Sequence, residues 1–479
     1  MGKRVGILFA GVFSLLAFAG MAGMDRRLGT LRSENTPLTI ILFLVAFVAY
    51  IAALYLVERQ GIPGWWLWLV AIVARLLMLL TTPTLSDDVY RMLWDGHVAN
   101  AGVSPYALPI DSPALDHLEV PVRAMANNTW MASPYLPAAQ VVYYGITAVF
   151  PLHPIALQAV MVAFDLLTAW VIAKLLAIAF LPGRRLVIYL WNPLVIVEVA
   201  HGAHVDAWMV LLTLLAVYWA FKFKRGTPLP AKRSHIVERV LRLLSPLALA
   251  LGTLTKPLPL LLLPVFFWLW KWPQRLFYGL TIIAILLPFG LSAGWGLQGE
   301  LDGTGLFGAM RIYAEQWNFN SGIFHWLEIG LGRLGINEPV DAAKVVIFVL
   351  MLFLMTLVWF AARGRSHPRS ALRLMAVPLM GYVLLTPTFH PWYLLILIAF
   401  LPFLAPAELE SKWRWLWVAP WLYLSGALIF SYLTYLNPLR FGEIEWVRQL
   451  EWPPTIALFV LAVIVWRVRS GHAQSCDVV

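Results

Sequence analysis

Leu38 to Val57 is an uninterrupted run of twenty residues without a charged side chain. At about 1.5 Å of rise per residue, a helix of that length spans roughly 30 Å, the hydrocarbon thickness of a bilayer. In lipid the backbone polar groups must bond within the segment, so the run is read as a helix. Comparable apolar stretches recur at Val5 to Gly23, Trp65 to Thr82, Ile155 to Leu181, Leu276 to Gly294, Val345 to Ala362, Ala371 to Pro387, Trp392 to Ala405, Trp415 to Leu433 and Pro454 to Trp466. With shorter and broken runs between them they make about fourteen crossings, both termini on the same, inner side. Composition agrees, since 61% of residues are hydrophobic and 13% charged, where a soluble domain has about a quarter charged. The expectation is an all-α polytopic membrane protein forming one domain over residues 1–479, with no internal repeat and no soluble module.

The net charge of +10 would suit a nucleic-acid partner, but the cations cluster in short loops between apolar runs, as membrane topology requires. Inner segments hold about 22 Lys and Arg against about 5 Asp and Glu, and outer segments about 10 against about 17. The most basic loop, 222–242, is therefore cytoplasmic, and 83–135 and 295–344 are two larger external loops. Arg26, Arg27 and Arg32 depart from the pattern by falling outside. Lys3-Arg4 before Val5 to Gly23 resembles a signal peptide, but the long apolar run is read as an uncleaved first span. Pro137 to Phe150 is short for a crossing and is read as a dipping segment. The single cysteine, Cys476, allows no intrachain disulfide.

The chemically suggestive residues all fall on the outer side of this topology. Asp87 and Asp88 stand where a span leaves the lipid, and adjacent carboxylates there are expensive unless they are used or hydrated. A helix over 86–98 would set Asp87, Arg91 and Asp95 on one face, with Arg91 shared between two acids and Asp88 turned about 100° away. A solvated helix cap is the bland alternative. Arg75 is a buried charge that needs a partner, and Asp165 and Lys174 lie too far apart to pair locally. Glu198, His201, His204 and Asp206 follow a short span. The last three could ligate a metal or simply be hydrogen-bonded in a water-filled cavity, their spacing matching no established zinc pattern. Lys256 sits at the apex of a hairpin broken by Pro257 and Pro259, either snorkelling or facing a lipid phosphate. Arg311, the Trp317 to Asn320 stretch and the run His390, Trp392, Tyr393 add a cation, aromatics and amides suited to sugars, although interfacial Trp and turn-forming Asn would look the same. Gly303 to Gly308 matches a dinucleotide fingerprint without the strand that motif needs, and is coincidence.

The run from Ser86 through Asp87, Asp88, Arg91 and Asp95-Gly96 to Gly102, Pro105 and Tyr106, together with Asn192-Pro193, His201 to Asp206, Trp317 to Asn320 and His390 to Tyr393, resembles bacterial integral-membrane mannosyltransferase-like proteins of the GT-C superfamily, related to the GPI mannosyltransferases. The resemblance implies a GT-C fold in a bacterial inner membrane and inverting transfer of a hexose, with mannose first, from a polyprenyl-phosphate donor to a glycan, lipid or protein acceptor outside the cytoplasm. It implies an acid early in the first external loop as general base, Asp87 first and Asp88 second; related enzymes often space these acids as Asp-X-Asp whereas here they are adjacent, which leaves the choice between the two open. Arg91, Tyr106, Glu198, His201, His204, Asp206, Lys256, Arg311, Trp317, Asn320, His390, Trp392 and Tyr393 are the candidate substrate-binding residues. No cofactor is required, though a divalent metal is compatible. The rival readings are a transporter or flippase of a lipid-linked sugar, and a polymerase or ligase using an undecaprenyl-diphosphate donor.

Overall fold

The computed structural model describes residues 5–223, 235–298, 302–405, 412–436 and 443–476. Lys3, Arg4, residues 224–234 of the basic loop, 299–301 of the second external loop and the Cys476 side chain lie outside the described residues. Among those described, all regular structure is helical, and the only β pairing is an isolated bridge between Phe319 and Thr388. Among the described residues six helices are long and apolar enough to cross a membrane: Val5–Leu28, Ser33–Gln60, Pro154–Ile178, Trp272–Ala293, Pro339–Ala362 and Glu445–Val468. A seventh is counted if Pro193–His201 and Asp206–Lys222, bent by 118°, form one broken span. The other apolar stretches behind the expected fourteen crossings are shorter or interrupted, as in Gly64–Leu79, Leu258–Leu269 and Pro391–Leu404. Only 6% of the apolar window of Trp272–Ala293 is buried, so its hydrophobic sides face outward, as lipid contact demands.

Proline sets many of the starts. It occupies the first turn of Thr36–Gln60, Pro137–Val149, Pro154–Ile178, Pro339–Ala362 and Pro368–Leu385, where its missing N–H has no intrahelical partner to lose. The buried Arg75 finds its partner in Asp165, and also donates to the carbonyls of Ala71 and Leu190, each at 3.0 Å. Tyr189 donates its hydroxyl to the second Asp165 oxygen at 2.5 Å. Lys174 instead rests over the Trp170 ring at 5.3 Å. Pro137–Val149, the expected dipping segment, packs tightly on Asp88–Asn100. A Cβ at Gly96 would meet the Tyr143 carbonyl oxygen at 2.5 Å, so the two backbones touch only because Gly96 lacks one.

The turn joining Val5–Leu28 to Thr36–Gln60 is docked on the stretch before Asp87. Asp25 accepts the Thr82 N–H at 2.9 Å, and the Thr84 hydroxyl accepts the Leu31 N–H at 3.0 Å. This brings Arg32, anomalous by charge distribution, against Asp87.

Candidate active site

The elements converge on a cavity of about 720 Å³. Asp87, Asp88, Lys256, Trp317, His390, Trp392 and Tyr393 line it, together with Asn127, Tyr135, Tyr313, Tyr432 and Tyr435.

The helix carrying the acids begins at Asp88, two residues later than the 86–98 reading places it, so Asp87 is the residue preceding Asp88–Asn100. Its carboxylate therefore swings toward the 29–35 turn and accepts from the Arg32 guanidinium at 2.9 and 3.1 Å. Arg91 is consequently not shared. It pairs with Asp95 at 3.4 Å and spends its other donors on the carbonyls of Asn127, Asn128 and Met131. Asp95 also accepts from Ser133 at 2.5 Å and Gln140 at 3.0 Å, while burial pushes its carboxyl above the usual range against the pull of Arg91. By anchoring the 127–131 loop, Arg91 presents the Asn127 amide to Asp88, whose Oδ1 accepts from it at 2.6 Å. Among the described residues the one basic side chain within salt-bridge distance of Asp88 is His204, whose Nδ1 lies 3.8 Å from Oδ2.

His201, His204 and Asp206 point to different partners. His201 bonds the Thr81 hydroxyl at 2.7 Å and accepts backbone N–H groups of Thr84 and Leu85. Asp206 accepts from Lys256 at 2.6 Å. His204 lies 3.2 Å from Glu198, whose other oxygen accepts from the Tyr432 hydroxyl at 2.7 Å. Among the described residues no group of three His, Cys, Asp or Glu is gathered to hold a metal ion. The Lys256 ammonium stands over the Tyr393 ring at 5.1 Å, in the cavity wall.

An aromatic column runs along one side. His204 stacks on Trp392 at 3.9 Å, Trp392 on His390 at 4.6 Å, and His390 on Phe319 at 4.9 Å. The loop containing Phe319 is held there by main-chain bonds to Pro387 and Phe389. Burial among these rings pushes His390 down to about 4, aided by Lys256 and His204 and opposed by Asp88. At neutral pH His390 is thus an uncharged hydrogen-bonding group. Tyr313 and Trp317 make a second stacked pair at 4.5 Å.

Several sequence candidates stand behind the wall. Tyr106 is buried and donates to the Tyr135 carbonyl at 2.7 Å. Asn320 is buried, donating to Ser431 and Glu451. Glu198, His201 and Asp206 are likewise buried, and Arg311 is half-buried on Gly308–Gln316, the helix that carries Tyr313. Sequence reasoning missed Arg32, Asn127 as an Asp88 ligand, and the tyrosines 135, 313, 432 and 435. Only Arg32 carried a signal, its charge departing from the expected distribution of cations between the two sides.

The family profile described as "Alpha-(1->6)-mannopyranosyltransferase, N-terminal domain" matches residues 8–272, more than half of the chain. A Mycolicibacterium smegmatis protein described as a "probable alpha-(1->6)-mannopyranosyltransferase" is 26% identical over 370 residues, covering 66% of this chain and 61% of the relative. The chain therefore spans about three fifths of that relative's length. Alpha-(1->6)-mannopyranosyltransferase A of Mycobacterium tuberculosis is 24% identical over 411 residues, covering 76% of this chain and 74% of its own. No solved structure matches. With its helical membrane architecture and a carboxylate-bearing cavity, this chain belongs to the alpha-(1->6)-mannopyranosyltransferase (MptA/B) family of GT-C membrane mannosyltransferases.

Proposed function

We propose that the protein is an inverting mannosyltransferase that moves mannose from a polyprenyl-phosphate donor to the 6-hydroxyl of a mannose-containing acceptor, on the extracytoplasmic face of the bacterial inner membrane. The observation that carries this reading is the division of labour between the two acids. Asp87 is neutralised by Arg32, whereas Asp88 is aimed into the cavity by a single neutral amide. A general base must reach the attacking hydroxyl with a free lone pair, which favours Asp88 over Asp87.

The acceptor oxygen attacks the anomeric carbon from the face opposite the phosphate while Asp88 takes its proton, and the carbon–phosphate oxygen bond breaks. Charge accumulating on the leaving phosphate needs a preorganised cation, and Lys256 lines the same cavity. The aromatic walls suit the apolar faces of sugar rings. A divalent metal is not needed in this scheme, because Lys256 supplies the positive charge.

The test is transfer by purified protein in vesicles from radiolabelled polyprenyl-phosphate mannose. Wild-type turnover with Asp88→Asn losing most activity is expected. Label that changes leaflet without being consumed would instead favour a flippase, and preference for a diphosphate donor would favour a polymerase or ligase.

A further inference from the structure

Backbone distortions cluster between Val197 and Asp206. The helix opens into a π turn over Val197–His201, a geometry found often at functional sites. Ala203 adopts φ 54°, a left-handed conformation that L-residues rarely take. A Cβ at Gly202 would lie 2.7 Å from His204 Cδ2 and 2.8 Å from the Glu198 carbonyl oxygen, so only glycine fits. The combined effect is to fold the His204 ring back between two carboxylates. Its Nε2 is 3.2 Å from Glu198 Oε2 and its Nδ1 is 3.8 Å from Asp88 Oδ2. The ring is buried, and neither nitrogen makes a hydrogen bond of good geometry among the described residues.

We propose that His204 is a second proton acceptor behind Asp88, with Glu198 orienting it, so that the three residues draw the acceptor's proton away from the reacting centre. This rests on the mannosyl-transfer reading. Once the 3.2 Å approach of Glu198 Oε2 to Nε2 aligns as a hydrogen bond, it holds a proton on that nitrogen and leaves the Nδ1 lone pair facing Asp88. As the acceptor oxygen bonds to the anomeric carbon, the bond to the phosphate oxygen breaks and its electron pair leaves with the lipid phosphate. The hydroxyl proton passes to Asp88 Oδ2 and on to His204 Nδ1. It returns through Asp88 to water when the product leaves, restoring the base.

The ring lies between two acids, and its face stacks on Trp392 at 3.9 Å and 16°, so positive charge arriving on it during transfer meets two carboxylates and an indole face. The 3.8 Å separation from Asp88 is of the kind that tightens when substrate binds. The remaining titratable groups near the ring are His201, His390, the Lys256–Asp206 pair, and Tyr432 behind Glu198.

The experiment is the vesicle transfer assay run across pH on full-length wild type, His204→Gln and Glu198→Gln, with melting temperatures recorded for each. His204→Gln should lower kcat by roughly 100-fold, leave donor KM within about threefold, and reduce a two-proton acid limb to a one-proton limb. Glu198→Gln keeps the side-chain size and should lower kcat by about tenfold while displacing that limb. The relay is overturned if His204→Gln retains kcat within about twofold, or loses kcat with an acid limb of unchanged slope, the mark of a packing role. Should His204→Gln fail to fold, a Glu198→Gln profile identical to wild type overturns it. Absence of transfer by wild type sinks the underlying reading and the relay with it, whereas wild-type transfer with an unaltered His204→Gln profile sinks the relay alone.

Discussion

Replacing Arg32 by Gln separates the roles of the two adjacent acids. At 2.9 Å the Arg32–Asp87 attraction is about 1.4 kcal/mol in water and about four times that at an effective dielectric of 20. The side chains are 32% and 33% exposed, so screening and the entropy of holding them leave about 1 kcal/mol. Arg32 also lies over the Tyr435 ring at 5.3 Å, which adds about 0.5–1 kcal/mol. Losing this clamp should therefore cost about 1–2 kcal/mol of site order, or roughly tenfold in kcat/KM. Asp87→Asn should cost about the same, and the double variant little more than either single one, because both remove one interaction. Asp88→Asn removes the base itself and should cost about 100- to 10,000-fold. Initial-rate transfer from polyprenyl-phosphate mannose, with melting temperatures as a folding control, measures all four variants. If Asp87→Asn abolishes turnover while Asp88→Asn stays within about tenfold of wild type, the base assignment is wrong and the clamp argument fails with it.

Lys256→Met strands the buried Asp206 carboxylate and should lower stability by about 3–5 kcal/mol. Adding Asp206→Asn should restore the melting temperature but not transfer, because the cavity still lacks its cation. His390 binds no proton in the folded protein until about pH 4, whereas unfolded it does so near 6.5. Stability on its account is full above 6.5 and falls as pH drops through that window, so His390→Gln should flatten the decline in melting temperature between those values. Treatment with EDTA should leave turnover within about twofold, and a loss restored by added divalent ion would assign the leaving-group role to a metal instead of Lys256.

The helical membrane class was legible from composition and run length, because lipid leaves a chain few options and hydropathy reports directly on them. The same local logic singled out Asp87-Asp88, Lys256, Trp317 and the His390 to Tyr393 stretch, all of which line the cavity. It also flagged Arg75 as a charge requiring a partner. What local logic could not reach were contacts across the fold. Arg75 meets Asp165, ninety positions away, and Arg32 meets Asp87 across fifty-five. An i, i+4 spacing made Arg91 look like the partner of Asp87, but a two-residue difference in where the helix begins left Asp87 outside it, with its carboxylate toward another turn of the chain. The crossing count is another case, since Pro257 and Pro420 stand at the starts of new helical segments within apolar runs, whereas Pro288, Pro378 and Pro402 lie inside continuous helices. The sequence by itself determined a helical membrane protein with acids, cations and aromatics assigned to one face, because those depend on solvent preference residue by residue. Only the tertiary structure decided which acid is free and which is clamped, because an ion pair between distant segments depends on their packing and not on any spacing along the chain.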